Sequence, residues 1–298
     1  MALNPEIEQF PESEFCPGFW KINAVSGCPY HCAGCYLDAS HGRFNGGRRI
    51  NSVAPVDKTL KVTRKWLNNM GSTPGVLVTG ETGDSFAFFD HQAPMTEEQW
   101  VEDITHPLTE LFSGKPQQIL YVTKSSGPAV LAAAPSPQSI FSFSINPPKV
   151  CEAFTAPFVR WDTLRAVAKQ GKRLRLRLDP LIPVNNWRAE YEAYIKFLAW
   201  ERGVISPEMF TLGSLRLTAA NYRLRRSQKL SLLEYVDYDK GGGSHPYRVP
   251  YSRRREMYEH VIGLLRKYFP HPRIGLCKET EDMRTSCGVR RGNCNCQL

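Results

Sequence analysis

The stretch "SGCPYHCAGCYLD", residues 26–38, places Cys28, Cys32 and Cys35 at the spacing C-x3-C-x2-C. A disulfide staple does not suit an odd number of thiols in a reducing compartment. A zinc site would need His31 as its fourth ligand, and these four residues lie too close together to surround one tetrahedral ion comfortably. The third interpretation is a 4Fe–4S cluster on three thiolates, with one iron left open for a ligand.

Composition sets the class of protein. The chain has 298 residues, is 42% hydrophobic, and carries nine cysteines and a net charge of +9. It contains no apolar run of about 18 residues, so we expect no membrane span. The N-terminal "MALNPEIEQFPESEF" is acidic and polar, which indicates a cytoplasmic protein rather than a secreted one. Its cysteines are then better explained as metal ligands or reactive thiols, and its charge favours polyanionic partners.

Short apolar runs alternate with amphipathic segments along most of the chain. We predict strands at 20–27, 75–80, 118–124, 139–146, 172–183, 209–218 and around 273–277, and helices at 96–112, 127–134, 159–171, 186–203 and 255–269. Such alternation predicts a parallel sheet covered by helices. We therefore expect an α/β fold, a partial (β/α)6 TIM-like barrel at 19–277, with an N-terminal extension at 1–18 and a cysteine-rich tail at 278–298.

The cysteine loop, placed directly after the first strand of such an array, resembles the signature of the radical S-adenosylmethionine (SAM) superfamily. That resemblance implies a 4Fe–4S cluster on Cys28, Cys32 and Cys35, and SAM as the second cofactor. It also implies reductive cleavage of SAM to a 5′-deoxyadenosyl radical that acts on a substrate. A flavodoxin- or ferredoxin-type protein would supply the electron.

Further motifs resemble parts of the SAM site. "TGETGDS" (79–85) is similar to the family's Gly-Gly-Glu motif, in which Gly80 and Glu81 would hold the methionine ammonium. The family usually has an aromatic residue before the last cysteine, to hold the adenine. Gly34 stands there in this sequence, so we assign part of that role to Tyr36.

The segments "YVTK", "FSFSIN", "DPLIP" and "FTLGSLRL" narrow the resemblance to the spore photoproduct lyase-like branch. In that pattern Lys124 and Ser144 contact SAM. The repair enzyme has a hydrogen-donor cysteine where Glu81 stands here, and an assisting tyrosine where Gly34 stands. We therefore do not expect the repair reaction itself, and Cys151 is either a relocated donor or a buried packing residue.

Four cysteines near the end of the chain form a second group. They follow the spacing C-x9-C-x6-C-x-C, and four thiols suffice for an auxiliary 4Fe–4S cluster or for zinc. Independent thiols are the remaining alternative. The residues are Cys277, Cys287, Cys294 and Cys296.

Basic residues suggest how anions are held. In "KRLRLRLD" (172–179) the leucines share one face and the arginines the other, so we expect Arg177 in the lumen beside the SAM carboxylate, Glu81 or a substrate phosphate. Two further segments mix cations with tyrosines, which predicts nucleic-acid contacts at Arg223, Arg225, Arg226, Arg253 and Arg254.

The leading substrate is therefore a nucleic acid base or nucleotide. Radical modification of a peptide or small molecule, aided by an auxiliary cluster, is the alternative. A zinc-bearing nucleic-acid-binding module is the hypothesis that involves no enzyme activity.

Overall fold

The structure is a computed structural model that describes residues 3–30, 32–37, 52–87 and 95–298. Its strands are β1 Ile7–Phe10, β2 Phe19–Ile22, β3 Val25–Ser26, β4 Ser52–Val53, β5 Gly75–Thr79, β6 Gln117–Thr123, β7 Ser139–Ser144, β8 Arg173–Leu181, β9 Met209–Ser214, β10 Arg216–Leu217, β11 Asp237–Tyr238, β12 Tyr247–Arg248 and β13 Ile274–Leu276.

The helices cover the sheet. They are α1 Val56–Met70, α2 Glu97–Trp100, α3 His106–Phe112, α4 Pro128–Ala132, α5 Pro148–Ala153, α6 Trp161–Lys169, α7 Trp187–Trp200, α8 Ala219–Ser227, α9 Tyr251–Tyr268 and α10 Glu281–Ser286. A π-helical segment, Val101–Thr105, joins α2 to α3. Thr96 begins α2 with a capping box shared with Gln99.

One eight-stranded sheet carries the architecture, in the order β1-β2-β5-β6-β7-β8-β9-β13. Strand β1 is antiparallel to β2, and every later neighbour pairs in parallel. Strand β7 is buried at every position, as a strand covered on both faces must be. The order begins at β1 and ends at β13, which makes the sheet an open half-barrel. The predicted partial barrel is thus confirmed.

The predicted strands and helices are present, with ends shifted by a few residues. Four helices, α1, α5, α8 and α10, were not predicted. The buried face of α1 includes Thr59 and Thr63 beside Trp66 and Leu67. The Thr63 hydroxyl donates to the carbonyl of Thr59, 2.8 Å away, so a polar side chain serves on the core side and weakens the apolar periodicity.

The two extensions contact each other. Arg284 donates to the carbonyls of Glu14 and Phe15, at 3.2 and 2.8 Å. The Gln297 side-chain amide donates to the carbonyl of Gly18 at 2.5 Å. Strand β1 of the N-terminal extension also belongs to the main sheet, so both ends of the chain help to build the half-barrel. The domain boundaries themselves stay a prediction.

Candidate active site

A cavity of about 480 Å³ opens where the parallel strands end. Ligand sites of βα barrels lie at this carboxyl end because the loops there converge. All nine residues assigned to the cluster and to SAM line this one cavity. They are Cys28, Cys32, Cys35, Tyr36, Gly80, Glu81, Lys124, Ser144 and Arg177.

The cysteine loop is held by hydrogen bonds to its backbone from two sides. On one side the Ala33 amide donates to the carbonyl of Phe154 and to the Thr155 hydroxyl, at 2.8 and 2.9 Å. On the other side helix α8 supplies Asn221, whose amide donates to the Gly34 carbonyl at 3.0 Å. Helix α8 also supplies Arg225, which donates to the Cys32 carbonyl at 3.4 Å. These hydrogen bonds tie the loop to the segment after α5 and to helix α8.

The turn after β5 is docked on this loop. The Gly27 amide donates to the Thr82 carbonyl at 2.8 Å, and Gly27 pairs with Gly83 in a parallel bridge. A Cβ on Gly83 would lie 2.6 Å from the Gly27 carbonyl oxygen, so the backbones approach too closely for any side chain. The Tyr36 hydroxyl donates to the Glu81 carbonyl. The cysteine loop and the turn after β5 thus form one continuous wall of the cavity.

Asp84 is a site residue that the sequence reasoning missed. Its carboxylate accepts hydrogen bonds from the Thr123 hydroxyl at 2.6 Å, the Lys124 amide at 2.7 Å and the Phe86 amide at 2.9 Å. Burial raises the pKa of this carboxyl, while the three donors oppose that shift. Asp84 therefore ties the end of β6, which carries Lys124, to the turn that carries Glu81.

Phe154 is a second residue that was missed. Its Cε2 lies 2.2 Å from the point that a Cβ on Gly34 would occupy. The ring also lines the cavity. An aromatic side chain therefore does stand beside the last cysteine of the loop, although it comes from the end of α5 rather than from the loop. No local sequence pattern indicates that a ring from α5 would replace the aromatic residue of the loop.

Arg177 points into the lumen as predicted, but its anionic partner is Asp179. It donates to the Asp179 carboxylate at 2.7 Å, and Arg216 donates to both of that carboxylate's oxygens at 3.0 and 3.2 Å. Burial alone would raise the Asp179 pKa, yet Arg216 and Arg177 hold it well below its usual range. Arg216 also reaches the Cys277 sulfur at 3.5 Å.

Arg175 anchors the C-terminal tail. It is only 1% exposed, and it donates to the carbonyls of Asn295 and Gln297 at 2.5 and 2.8 Å. The Ser142 hydroxyl donates to the Asn295 side chain at 3.1 Å. These lumen-facing residues of β7 and β8 hold the tail inside the half-barrel.

The structure separates the four tail cysteines. Cys277, Cys294 and Cys296 line the cavity, whereas Cys287 packs in the core beside Met283. Cys16, from the N-terminal extension, lines the cavity instead. The predicted four-cysteine ligand set is therefore not assembled as proposed. Seven of the nine cysteines line one cavity, and the two that do not are Cys151 and Cys287.

Cys294 and Cys296 are partners of each other. Hydrogen bonds from the Cys296 thiol and backbone amide lower the pKa of Cys294 to about 6. The pKa of Cys296 is raised well above its ordinary value, first by that hydrogen bond and then by burial. The hydrogen bond therefore favours the thiolate form at Cys294 and the thiol form at Cys296.

Cys151 does not line the cavity. It is 7% exposed, and its sulfur lies 3.5 Å from the Asn146 carbonyl. Burial raises the pKa of its thiol to about 11. The structure thus favours the packing role over the hydrogen-donor role for this residue.

Two of the five arginines assigned to nucleic acid are structural. Arg225 holds the cysteine loop, and Arg254, 2% exposed, donates to the Val249 carbonyl at 2.8 Å and lies 3.4 Å from the Glu279 carboxylate. Arg223 and Arg226 are exposed on α8. Arg253 is exposed on α9 and paired with Glu256 at 2.9 Å.

His245 lies in the cavity wall and was not predicted. Its Nδ1 lies 2.9 Å from the Ser244 hydroxyl. Burial, aided by the charges of Arg216, Lys278 and Arg248, lowers the pKa of its imidazole to about 3. It is therefore a neutral hydrogen-bonding group at physiological pH.

The donor set of the loop fits a 4Fe–4S cluster, because three cysteine sulfurs face a cavity large enough to take a cofactor beside them. Across the described ranges, no group of three or more His, Cys, Asp or Glu side chains is placed to hold a single metal ion. His31, the fourth ligand of the zinc alternative, lies outside the described residues. No helix in the described part of the chain is long and apolar enough to span a membrane.

Comparison with known proteins supports the same architecture. No protein-family model matches the chain, and no curated protein matches it. Spore photoproduct lyase complexed with dinucleoside spore photoproduct matches at a TM-score of 0.69 and 20% identity, over 90% of this chain and 78% of that one. A variant of that enzyme with bound AdoMet and dinucleoside spore photoproduct matches at 0.68 and 18%, over 91% and 78%.

SuiB from Streptococcus suis, bound to S-adenosylmethionine, matches at a TM-score of 0.53 and 14% identity, over 88% of this chain and 50% of that one. The chain therefore has the half-barrel fold of these SAM-binding enzymes. The resemblance inferred from the cysteine loop is confirmed at the level of the fold.

Proposed function

We propose that this protein is a radical SAM enzyme. The observation that supports the proposal is that the turn carrying Gly80 and Glu81 is bridged to the cysteine loop through Gly83 and Gly27, and that both segments line one cavity. Cys28, Cys32 and Cys35 would hold the cluster. A 4Fe–4S cluster, when bound, supplies one electron to the sulfonium of SAM, and the adenosyl radical produced abstracts hydrogen from a substrate.

The chain's own residues would bind and orient SAM. Gly80 has φ of +84°, and a Cβ there would lie 2.7 Å from the Val122 carbonyl, so its bare backbone faces the cavity. Glu81 would accept a charge-assisted hydrogen bond from the methionine ammonium. Lys124 and Ser144, at the ends of β6 and β7, would contact the carboxylate and ribose side of the molecule, and the Phe154 ring would pack on the adenine.

The substrate we propose is a nucleic acid base or nucleotide. Arg223 and Arg226 are exposed on α8, whose N-cap Thr218 lines the cavity. Tyr222 stacks on Tyr247 with centroids 3.7 Å apart, and exposed cations beside aromatic rings suit phosphates and bases. Spore photoproduct lyase has been solved with dinucleoside spore photoproduct bound, which supports this class. Because the resemblance puts the repair enzyme's donor cysteine where Glu81 stands in this chain, we propose a related reaction rather than that repair.

Anaerobic reconstitution with iron and sulfide tests the proposal. We expect about four irons per chain, and 5′-deoxyadenosine after reduction by dithionite or by a flavodoxin- or ferredoxin-type protein. Cys28→Ala should lose the cluster and the product, while Cys287→Ala, which removes a thiol outside the cavity, should keep both. Tight zinc binding without visible charge-transfer absorption would reject the assignment.

A further inference from the structure

Cys294 and Cys296 both line the cavity that the cysteine loop also lines, and one residue separates them. The Cys294 sulfur accepts hydrogen bonds from both the thiol and the backbone amide of Cys296. Both are free cysteines. The single intervening residue keeps the Cα atoms of the two cysteines within the range that a disulfide spans, so the thiols are placed to form one by a small movement.

The pair is built into the structure rather than displayed on a loose tail. Asn295, between the two cysteines, is 1% exposed and is held by Ser142 and Arg175 of the lumen. The Gln297 amide donates to the Cys294 carbonyl at 3.0 Å, which closes a turn around the pair. These three hydrogen bonds thus hold the segment that carries the two cysteines.

We propose that Cys294 and Cys296 form a redox-active dithiol that returns a hydrogen atom to carbon radicals generated in the cavity. The role in radical chemistry rests on the proposed function, whereas the dithiol itself does not. It also replaces the auxiliary-cluster interpretation of these two residues.

The steps balance. The S–H bond of Cys296 breaks and a C–H bond forms on the carbon radical, which leaves a thiyl radical. That radical joins the Cys294 thiolate through a three-electron sulfur–sulfur bond, giving a disulfide radical anion. One electron from the flavodoxin- or ferredoxin-type donor and one proton from solvent then restore the thiol and the thiolate.

Other thiols fit this role less well. Cys151 and Cys287 do not line the cavity. Cys16 and Cys277 also line the cavity, but neither has a second cysteine within two residues in the sequence, and Cys277 lies 3.5 Å from an Arg216 nitrogen. The opposite pKa shifts of Cys294 and Cys296 agree with the geometry, since the hydrogen-atom step needs a thiol and the trapping step needs a neighbouring thiolate.

The dithiol can be tested without SAM. The cluster-loaded chain is equilibrated anaerobically with mixtures of reduced and oxidised dithiothreitol, remaining thiols are alkylated, and peptides are mapped by mass spectrometry. We expect a disulfide between Cys294 and Cys296 in the wild type and in Cys287→Ser, and none in Cys294→Ser. Persistently reduced thiols, or a metal lost specifically from Cys294→Ser, would overturn the proposal.

The hydrogen-atom step can be tested without knowing the substrate. SAM cleavage in D2O with no added substrate lets the adenosyl radical take an exchangeable atom from a nearby thiol. We expect deuterated 5′-deoxyadenosine from the wild type and from Cys287→Ser, and a severalfold lower deuterated fraction from Cys296→Ser. An unchanged fraction would reject Cys296 as the donor. Absence of 5′-deoxyadenosine in every sample would instead reject the proposed function and leave the dithiol to the mass-spectrometric result.

Discussion

The Phe154 ring stands 2.2 Å from the place where a Cβ of Gly34 would be, so the two residues share a single space beside the last cysteine of the loop. Gly34 looks like an unremarkable loop glycine in the sequence. In the structure it is the residue that admits an aromatic ring from a different part of the chain.

Gly34→Ala should therefore displace this ring. Overpacking of this kind costs about 1–3 kcal/mol, and we expect weaker SAM binding by the cluster-loaded protein as well. Phe154→Ala alone should also weaken binding. The double variant Gly34→Ala/Phe154→Ala should be more stable than Gly34→Ala, because the clash is gone. Urea unfolding and calorimetric SAM titration measure both effects, and additive losses in the double variant would contradict the shared-space interpretation.

Arg225 should control retention of the cluster. Arg225→Met removes the donor to the Cys32 carbonyl, and an unsatisfied buried carbonyl costs about 1–3 kcal/mol. We expect lower stability and less iron per chain after reconstitution. Arg223→Met, two residues earlier and exposed on the same helix, should stay within about 0.5 kcal/mol of wild type. Equal iron content in the two variants would show that the loop does not depend on this contact.

Asp179 should make stability depend on pH at the acid end. Its folded pKa lies below its unfolded value of about 3.9, so its contribution is complete above that value and is lost as pH falls. Asp179→Asn leaves Arg177 and Arg216 without their carboxylate and should cost about 3–5 kcal/mol near pH 7. The difference between wild type and variant should shrink progressively below about pH 4. A difference that grows on acidification would mean that Asp179 is protonated in the folded protein.

The exposed arginines of α8 should contribute to any nucleic-acid binding. If both contact phosphates, Arg223→Gln/Arg226→Gln should reduce the slope of log affinity against log salt by about 1.4 for single-stranded DNA. A matched control is Arg253→Gln/Arg255→Gln, which removes two exposed cations that are already paired on α9. We expect the control to change the slope less. Identical slopes in the two variants would place the phosphate contacts elsewhere.

Local patterns predicted the half-barrel well. Strands such as β5 and β7 are buried on both faces, and short runs of consecutive apolar residues in the sequence indicate this. Part of the cavity lining could also be predicted from the sequence. Lys124 and Ser144 stand at the carboxyl ends of parallel strands, and such ends meet at one edge of a sheet. Helix α1 was not predicted because threonines occupy part of its buried face.

Contacts between distant segments could not be predicted. Phe154 replaces a loop aromatic, Cys16 takes the place expected for Cys287, and Arg254 neutralises a buried carboxylate rather than a phosphate. Charge and residue type alone do not distinguish an arginine that binds a ligand from one that holds the fold. Only the position of its partner does, and the partner lies far away in sequence.

The close approach of Gly27 and Gly83 couples the evolution of the cysteine loop to that of the turn after β5. Because the Gly27 carbonyl leaves no room for a side chain at Gly83, neither segment can shift without the other. Among homologues, a residue larger than glycine at position 83 should therefore occur only together with a changed length or composition of the cysteine loop. The two motifs would evolve as one unit, although 55 residues of chain separate them.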